Sequence, residues 1–524
     1  MKLLICDIWT FIMIGLKGVE NMNHYDAIII GGGLGGLISG AKLAKEGKKV
    51  LLIEQHYIPG GCATTFRRKD YIMEVGLHEM DGLDENDPKV KIFKDLNIFD
   101  NVEFLRVPEF YRFVKGKVDI VIPDNREEAI KVLTNEFPKE EKGIKKFFKK
   151  IHVIQREINR LPIEKWKMTL LFPIFPLIYP NLVFNTYKTL GNFFDSIIQN
   201  EELKLVLLAN LQYYYDDPYS MSLIYYSAAQ ASYFNGGGHF IKGGSQKLSD
   251  YLSKFIIDNN GEVLLGNKVV KIMTKGNKAI GVEYQKNSSK EQEIKKVFAK
   301  TIIANTAIPN VINLLPEENR KLLREKTEKL IIANSLITIY IGFKKEIKEL
   351  KNMHYSTFVF DESVKEQSDL IKNHKGNFEK RNFVFVDYSQ IDAGLAPKGK
   401  SFGVVCTVDY LTDWENLSQE EYKKKKEEVA KIYFQRMERL IPGFTNEIDY
   451  YEVGTSKTIE RYTLNPGGSA YGFAQIPKQA GIFRIPNESP IKSLYFASAW
   501  TNPGGGFTGA ILSGWFCAKT ILKK

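Results

Sequence analysis

A chain of 524 residues exceeds what one hydrophobic core usually fills, so at least two core-forming regions are expected. Apolar residues at 44% and charged residues at 26% exclude disorder, a collagen repeat and a disulfide scaffold. The four cysteines (Cys6, Cys62, Cys406, Cys517) form no CxxC pair, and no histidine cluster has metal-ligand spacing, which fits a reduced cytoplasmic protein with no metal. The net charge of +11 comes from a lysine-rich composition. The run Lys423–Lys426 is followed directly by Glu427 and Glu428, as on an exposed helix, and no nucleic-acid motif is present. A basic surface leaves peripheral contact with the anionic inner face of a membrane open.

In chain order, residues 1–23 come first. Leu3 to Leu16 is mostly apolar, but Asp7 interrupts it and it is too short to span a bilayer. Met22-Asn23-His24 stands just ahead of the first strand, so 1–23 reads as an N-terminal extension, from a mis-set start or as a weak anchor. Ala27-Ile28-Ile29-Ile30 is a continuously apolar run suited to a buried parallel strand. It leads into Gly31-Gly32-Gly33-Leu34-Gly35-Gly36, which satisfies GxGxxG, then a helical stretch closed by Gly47 and a second buried strand, Val50–Ile53, ending at Glu54. Gly31 permits the tight turn, Gly33 lets the backbone approach a pyrophosphate, and Gly36 allows the helix to pack closely on the strand. The helix start, with Leu34 and Gly35, offers free N–H groups to phosphate, and Glu54 can accept from a ribose hydroxyl.

A second glycine pair, Gly60-Gly61, follows in Pro59–Phe66. An NAD dehydrogenase has no need of it, whereas flavoproteins of the glutathione-reductase superfamily run such a loop along the flavin side. No second GxGxxG and no redox CxxC occurs, so the expected cofactor is FAD, without a separate nicotinamide domain.

The stretch from Tyr25 to Gly82, with Gly60–Phe66 and Glu74-Val75-Gly76-Leu77-His78, resembles the phytoene desaturase, carotenoid isomerase and retinol saturase group. Phe234–Ser245 is similar to that group's central glycine segment. Leu494–Gly506, running on to Ser513-Gly514, is similar to its C-terminal strand, glycine loop and helix. The resemblance implies that Val269 lies on the hairpin strand near the adenine and that Gly505 and Gly506 lie under the flavin. Cys62 stands where many relatives carry a basic residue, and it reads as a small apolar filler.

Residues from about 125 to 235 read as helical. Ile144, Phe147, Phe148 and Ile151 form an apolar stripe beside lysines, fitting a membrane surface or a neighbouring element equally. Met168–Tyr187 carries no formal charge, but Pro173, Pro176 and Pro180 rule out a spanning helix; it reads as an irregular apolar flap at a membrane or a tunnel mouth. Ser335–Phe343 and Phe402–Tyr410 read as strands.

The expected fold is α/β, with a Rossmann-type, glutathione-reductase-like FAD-binding domain (24–100, 236–310 and 466–524). It is interleaved with an α+β substrate domain (101–235 and 311–465) whose part near 140–190 could contact a membrane. The expected activity is hydride exchange between the flavin and carbon–carbon bonds of an apolar polyene or isoprenoid, by desaturation, isomerisation or saturation, with the electron partner open. A flavin amine oxidase and a non-enzymatic prenyl or lipid escort are the alternatives. No acid or base follows from spacing. His78, Glu79 and His239 are candidates because they follow glycine loops expected near the flavin.

Overall fold

The computed structural model describes residues 24–162, 165–287 and 293–524. The extension expected at 1–23 lies outside the described residues. Strand β1 (His24–Ile30) pairs in parallel with β2 (Val50–Ile53), Ile28 beside Leu51, and with strand Lys295–Ala304, Ile28 beside Ile302. Strand Glu262–Leu264 extends the sheet beyond β2, and strand Leu494–Phe496 pairs in parallel with the end of Lys295–Ala304. An antiparallel hairpin, Asn267–Thr274 with Ala279–Lys286, completes a seven-stranded sheet.

Both faces of this sheet are covered, which is why Ala27–Ile30 of β1 is apolar at four successive positions rather than at alternate ones. Ala27 and Ile29 enter a core with Leu37, Ile38 and Ala41 of helix α1 (Leu34–Lys45), whereas Ile28 and Ile30 enter the core on the opposite face with Val282 and Leu494. Each fully buried isoleucine contributes about 1.5–3 kcal/mol. The C-terminal helix (Gly506–Leu522) crosses α1 so closely that a Cβ on Gly514 would lie 2.4 Å from the Gly35 carbonyl oxygen.

A second seven-stranded sheet runs in the order 448–454, 335–343, 401–409, 383–387, 356–359, 111–115 and 118–122. Only the pair 356–359 with 111–115 is parallel. Here the period of two decides what faces where. Ile337, Ile339 and Ile341 pack with Val405 under the long helix Gln419–Leu440, while Thr338, Tyr340 and Cys406 face the opposite side and line a cavity. That long helix opens on a capping box, with Glu421 N–H donating to Ser418 Oγ and Ser418 N–H to Glu421 Oε2.

The helical region predicted from about 125 onward is helical from Arg126 to Gly236, in pieces. In helix Glu141–Asn159 the stripe of Ile144, Phe147, Phe148 and Ile151 is buried inside the protein, partly against helix Leu223–Gly236. That face is therefore a packing face and is not available to a membrane. The proline-rich flap is broken into short pieces, Lys165–Leu171, Phe172–Ile174, Phe175–Ile178 and Pro180–Asn185. Its large side chains point outward: Leu170 is 70% exposed, Phe172 69%, Leu177 82% and Phe184 67%. No helix among the described residues is long and apolar enough to cross a membrane.

Candidate active site

One cavity of about 2210 Å³ runs from the glycine turn after β1, across the start of the C-terminal helix, to the inner side of the flap. At its first end Gly31 has φ +96°, and a Cβ there would lie 2.6 Å from the Asn305 carbonyl oxygen. Helix α1 starts with no side-chain cap and no acid in its first turn, so its free N–H groups and partial positive charge face the cavity. The Gly60 N–H donates to Gly32 O at 2.7 Å, which sets the second glycine turn against the first, with Gly61 packed on the Gly33 α-carbon. Glu54 closes the turn. Its carboxylate accepts from Gly32 N–H at 2.6 Å and from His56 N–H at 2.7 Å, and it lines the cavity with Val269.

Sequence reasoning grouped five glycine-turn residues as cofactor contacts, and the structure divides them. Gly31, Gly33 and Leu34 line the cavity, whereas Gly35 and Gly36 are held to glycine by protein backbone. A Cβ on Gly35 would lie 2.0 Å from Ala497 O, and one on Gly36 2.3 Å from Gly31 O.

The loop before the C-terminal helix forms the middle of the cavity. Gly504, Gly505 and Gly506 all have positive φ, and the helix again begins without a side-chain cap. Tyr225 donates its hydroxyl to Gly504 O at 2.9 Å. Buried Arg484 braces the loop from behind, donating from Nη2 to Ala499 O at 2.8 Å and from Nη1 to Phe473 O at 2.7 Å. Its Nε has no partner. Burial brings Arg484 down to about 10, so it stays charged at neutral pH. Asp81 accepts from the Thr508 hydroxyl in the first turn and pairs with Lys89, which is 1% exposed and also bound to Asp87 at 2.7 Å. Burial pushes Asp81 up, but Lys89 and the hydroxyls of Ser232 and Thr508 outweigh it and hold the carboxyl below its ordinary range. Two uncapped helix starts, glycine turns that a side chain would fill and an acid at the strand end suit the phosphates and ribose of a dinucleotide.

Beyond that loop the walls become aromatic and apolar, and one segment there is unusually constrained. Four tyrosine hydroxyls donate to backbone carbonyls of residues 75–79: Tyr340 to Val75 at 3.2 Å, Tyr388 to Leu77 at 2.8 Å, Tyr355 to His78 at 2.6 Å and Tyr233 to Glu79 at 3.4 Å. Glu74 anchors the start of the segment, accepting from Ser245 N–H and Oγ–H and from the N–H groups of Gly76 and Leu77. Because the tyrosines come from the second sheet, its edges and helix Leu223–Gly236, they hold the segment against that side of the cavity.

Two of the three candidate acid–base residues stand on this segment. His78 lines the cavity with Nδ1 2.8 Å from the Tyr213 hydroxyl, and burial brings it down to about 4, so it is neutral. Glu79 also lines the cavity; burial, then the charges of Glu109, Asp124 and Asp81, push it well above the carboxylate range. His239 lies on strand Gly238–Ile241 beside Met80 and does not line the cavity. Cys62 is exposed to the cavity, and desolvation there pushes its thiol up to about 11, so it is a neutral thiol at pH 7.

Sequence reasoning missed Arg484, Asn305, the Asp81–Lys89–Asp87 cluster and the four tyrosines. Asn305 carried a signal, since it follows an apolar strand at the carboxyl end of a parallel sheet, where ligands bind. The tyrosines and Arg484 carried none, because their partners are backbone carbonyls remote in sequence.

A dinucleotide cradle opening into an apolar chamber, on two interleaved sheets, defines a flavin-dependent oxidoreductase. The chain belongs to the flavin containing amine oxidoreductase family, whose profile matches residues 34–522. It is similar to the chloroplastic prolycopene isomerase of Daucus carota, 28% identical over 96% of this chain and 81% of that one. It is also similar to the all-trans-retinol 13,14-reductase of Danio rerio, 27% identical over 95% and 86%. A solved putrescine oxidase shares the fold, with a TM-score of 0.63 at 14% identity, covering 95% of this chain and 99% of that one.

Proposed function

We propose that the cradle binds FAD and that the chamber presents carbon–carbon bonds of a long apolar polyene or isoprenoid to it. When bound, the flavin supplies hydride exchange at N5, which accounts for desaturation, saturation or isomerisation of a polyene. The chain's own residues do the rest. Gly31, Gly33, Leu34, Gly60 and Gly61 approach the pyrophosphate with backbone, Glu54 accepts from the adenosine ribose, Val269 borders the adenine, and Gly505 and Gly506 bring the C-terminal helix start to the flavin. Arg484 holds that loop in place, and the aromatic walls exclude water.

The observation that carries this reading is the continuity of cradle and chamber. One space of about 2210 Å³ is lined at one end by Gly33 and Glu54 and at the other by Met168 and Leu182 of the flap. Ordinary ligand pockets enclose ~300–1,000 Å³, so a dinucleotide leaves room for a second, long ligand. A small soluble amine does not need such a chamber, which favours the polyene over the amine oxidase reading.

The flap is the proposed contact with a membrane. Trp166, Leu170, Phe172, Leu177 and Phe184 of the flap are exposed, while Met168, Thr169, Leu182 and Thr186 of the same segment, and exposed Ile482, line the cavity. Exposed apolar side chains concentrated in one segment mark an interaction site, and a lipid surface would deliver an apolar substrate to the adjoining cavity. The chain itself would then be cytoplasmic and peripheral.

The test is the mass and retention time of lipids from hosts that make phytoene or poly-cis lycopene, with and without this protein. Products lighter by hydrogen pairs identify desaturation, heavier ones saturation, and equal mass with shifted retention isomerisation. No change in any host, with flavin-loaded protein confirmed, overturns the polyene reading in favour of amines or other alkenes.

A further inference from the structure

The chamber walls are largely apolar, and Glu79 is the carboxyl group among their few polar side chains. No side chain or backbone group bonds its Oε2. That oxygen is sealed against Gly238, where a Cβ would lie 2.2 Å away, so glycine at 238 is what makes room for the carboxyl group. Gly236 and Gly237 are tight for separate reasons, since side chains there would strike the Gly82 backbone and the Arg106–Asp124 pair. Of the triple glycine that looked like a cofactor loop in sequence, Gly238 thus seats an acidic side chain at the chamber wall.

The protonation state follows from the surroundings. Glu109 receives Tyr355 N–H, Asp124 pairs with Arg106 and Asp81 with Lys89, so each neighbouring cation is already engaged by another acid. Burial and these like charges keep Glu79 in its neutral form. Oε2 is buried and unpaired beside Gly238, so the part of the carboxyl group open to a ligand is its chamber-facing edge. A donor in an apolar chamber calls for an acceptor on the ligand. Tyr214, 8% exposed and within electrostatic reach of Glu79, adds a second hydroxyl without a partner at the cavity wall.

We infer that Glu79 recognises an oxygen on the substrate, so the preferred ligand is an oxygenated polyene or isoprenoid (an alcohol, ether or carbonyl compound) rather than a pure hydrocarbon. The inference rests on the polyene reading and sharpens it. Relative to a hydrocarbon of the same length, an oxygenated ligand gives the carboxyl proton its acceptor, and a hydrocarbon leaves it unpaired.

The experiment measures binding to the flavin-loaded protein by quenching of its tryptophan fluorescence, with flavin content read from absorbance. The probes are retinol and the hydrocarbon in which its hydroxyl is replaced by hydrogen. The wild type is expected to prefer the alcohol by about tenfold, the worth of one buried hydrogen bond and its desolvation. Glu79→Leu should abolish the preference at unchanged flavin content, Glu79→Gln should keep most of it because an amide still donates, and Gly238→Ala should lose it by displacing the carboxyl group. Equal affinity for both probes in the wild type, or a preference that survives Glu79→Leu, overturns the inference and leaves the polyene reading standing. Loss of flavin from Glu79→Leu also overturns it, by assigning the carboxyl to the cofactor. Failure of both probes to bind overturns both readings together.

Discussion

Gly35→Ala sets two physical effects against each other. Gly35 lies in the first turn of α1, where alanine is the better helix former by up to about 1 kcal/mol, so propensity alone predicts a gain in stability. The added Cβ would lie 2.0 Å from Ala497 O and 2.7 Å from Ala497 C, both backbone atoms. An ordinary carbon–oxygen contact is more than about 1 Å longer, and overpacking of this kind costs about 1–3 kcal/mol. Ala497 leads directly into the loop 498–506, so the displacement needed to relieve the clash moves the cavity's middle wall. The expected result is a lower unfolding temperature and weaker flavin retention. Gly40→Ala in the same helix is the control: its nearest contacts are side-chain atoms, Cδ1 of Ile256 and of Ile29 each at 2.8 Å and Cγ1 of Ile256 at 3.5 Å, and side-chain ends can move. Flavin-to-protein ratio after gel filtration and the thermal midpoint read both variants. A Gly35→Ala protein as stable and as flavin-loaded as Gly40→Ala would refute the close-approach account.

Other outcomes follow from the same geometry. Tyr355→Phe leaves the His78 carbonyl without its donor and should cost about 1–3 kcal/mol in denaturant unfolding with native-like flavin content; an unchanged midpoint would deny the strap any structural weight. Neutral His78 has a folded pKa of about 4, below its unfolded value near 6.5, so its contribution is present above pH 6.5 and is lost as pH falls toward 4. His78→Gln should therefore flatten the stability profile in that window, read as thermal midpoint against pH. Leu177→Asp with Phe172→Asp should reduce co-sedimentation with anionic vesicles several-fold without altering flavin content, and undiminished sedimentation would remove the flap as the contact surface.

The first strand, its glycine turn and the second strand were legible because their signals are local: a continuous apolar run, glycines at fixed spacing and a terminal acid. Strands 335–343 and 401–409 were legible for a related reason, being β-branched and aromatic over lengths suited to strands. The apolar stripe of helix Glu141–Asn159 was visible, but what it faces was not, since periodicity reports a face and not its partner. Residues 236–238 were read as part of a cofactor-side block because glycine runs look alike. The Gly238 requirement comes from a carboxyl group 159 positions earlier in the chain (238 − 79 = 159), and no pattern within a short window encodes it. The tyrosine hydroxyls were hidden for the same reason, since their hydrogen bonds reach carbonyls up to |i−j| = 311 away.

The last strand and helix of the chain also govern when this protein can become functional during its synthesis. Strand Leu494–Phe496 pairs with the end of strand Lys295–Ala304, itself the neighbour of β1, and helix Gly506–Leu522 crosses α1 at Gly35 and Gly514. At roughly 5–20 residues per second, a ribosome needs about 20 to 90 seconds to reach that strand after finishing α1. Until then the strand ending at Ala304 lacks that parallel neighbour and α1 lacks its cover at Gly35, so the cradle proposed above for the flavin is incomplete, and removing residues 494–524 should yield protein that retains no flavin on gel filtration.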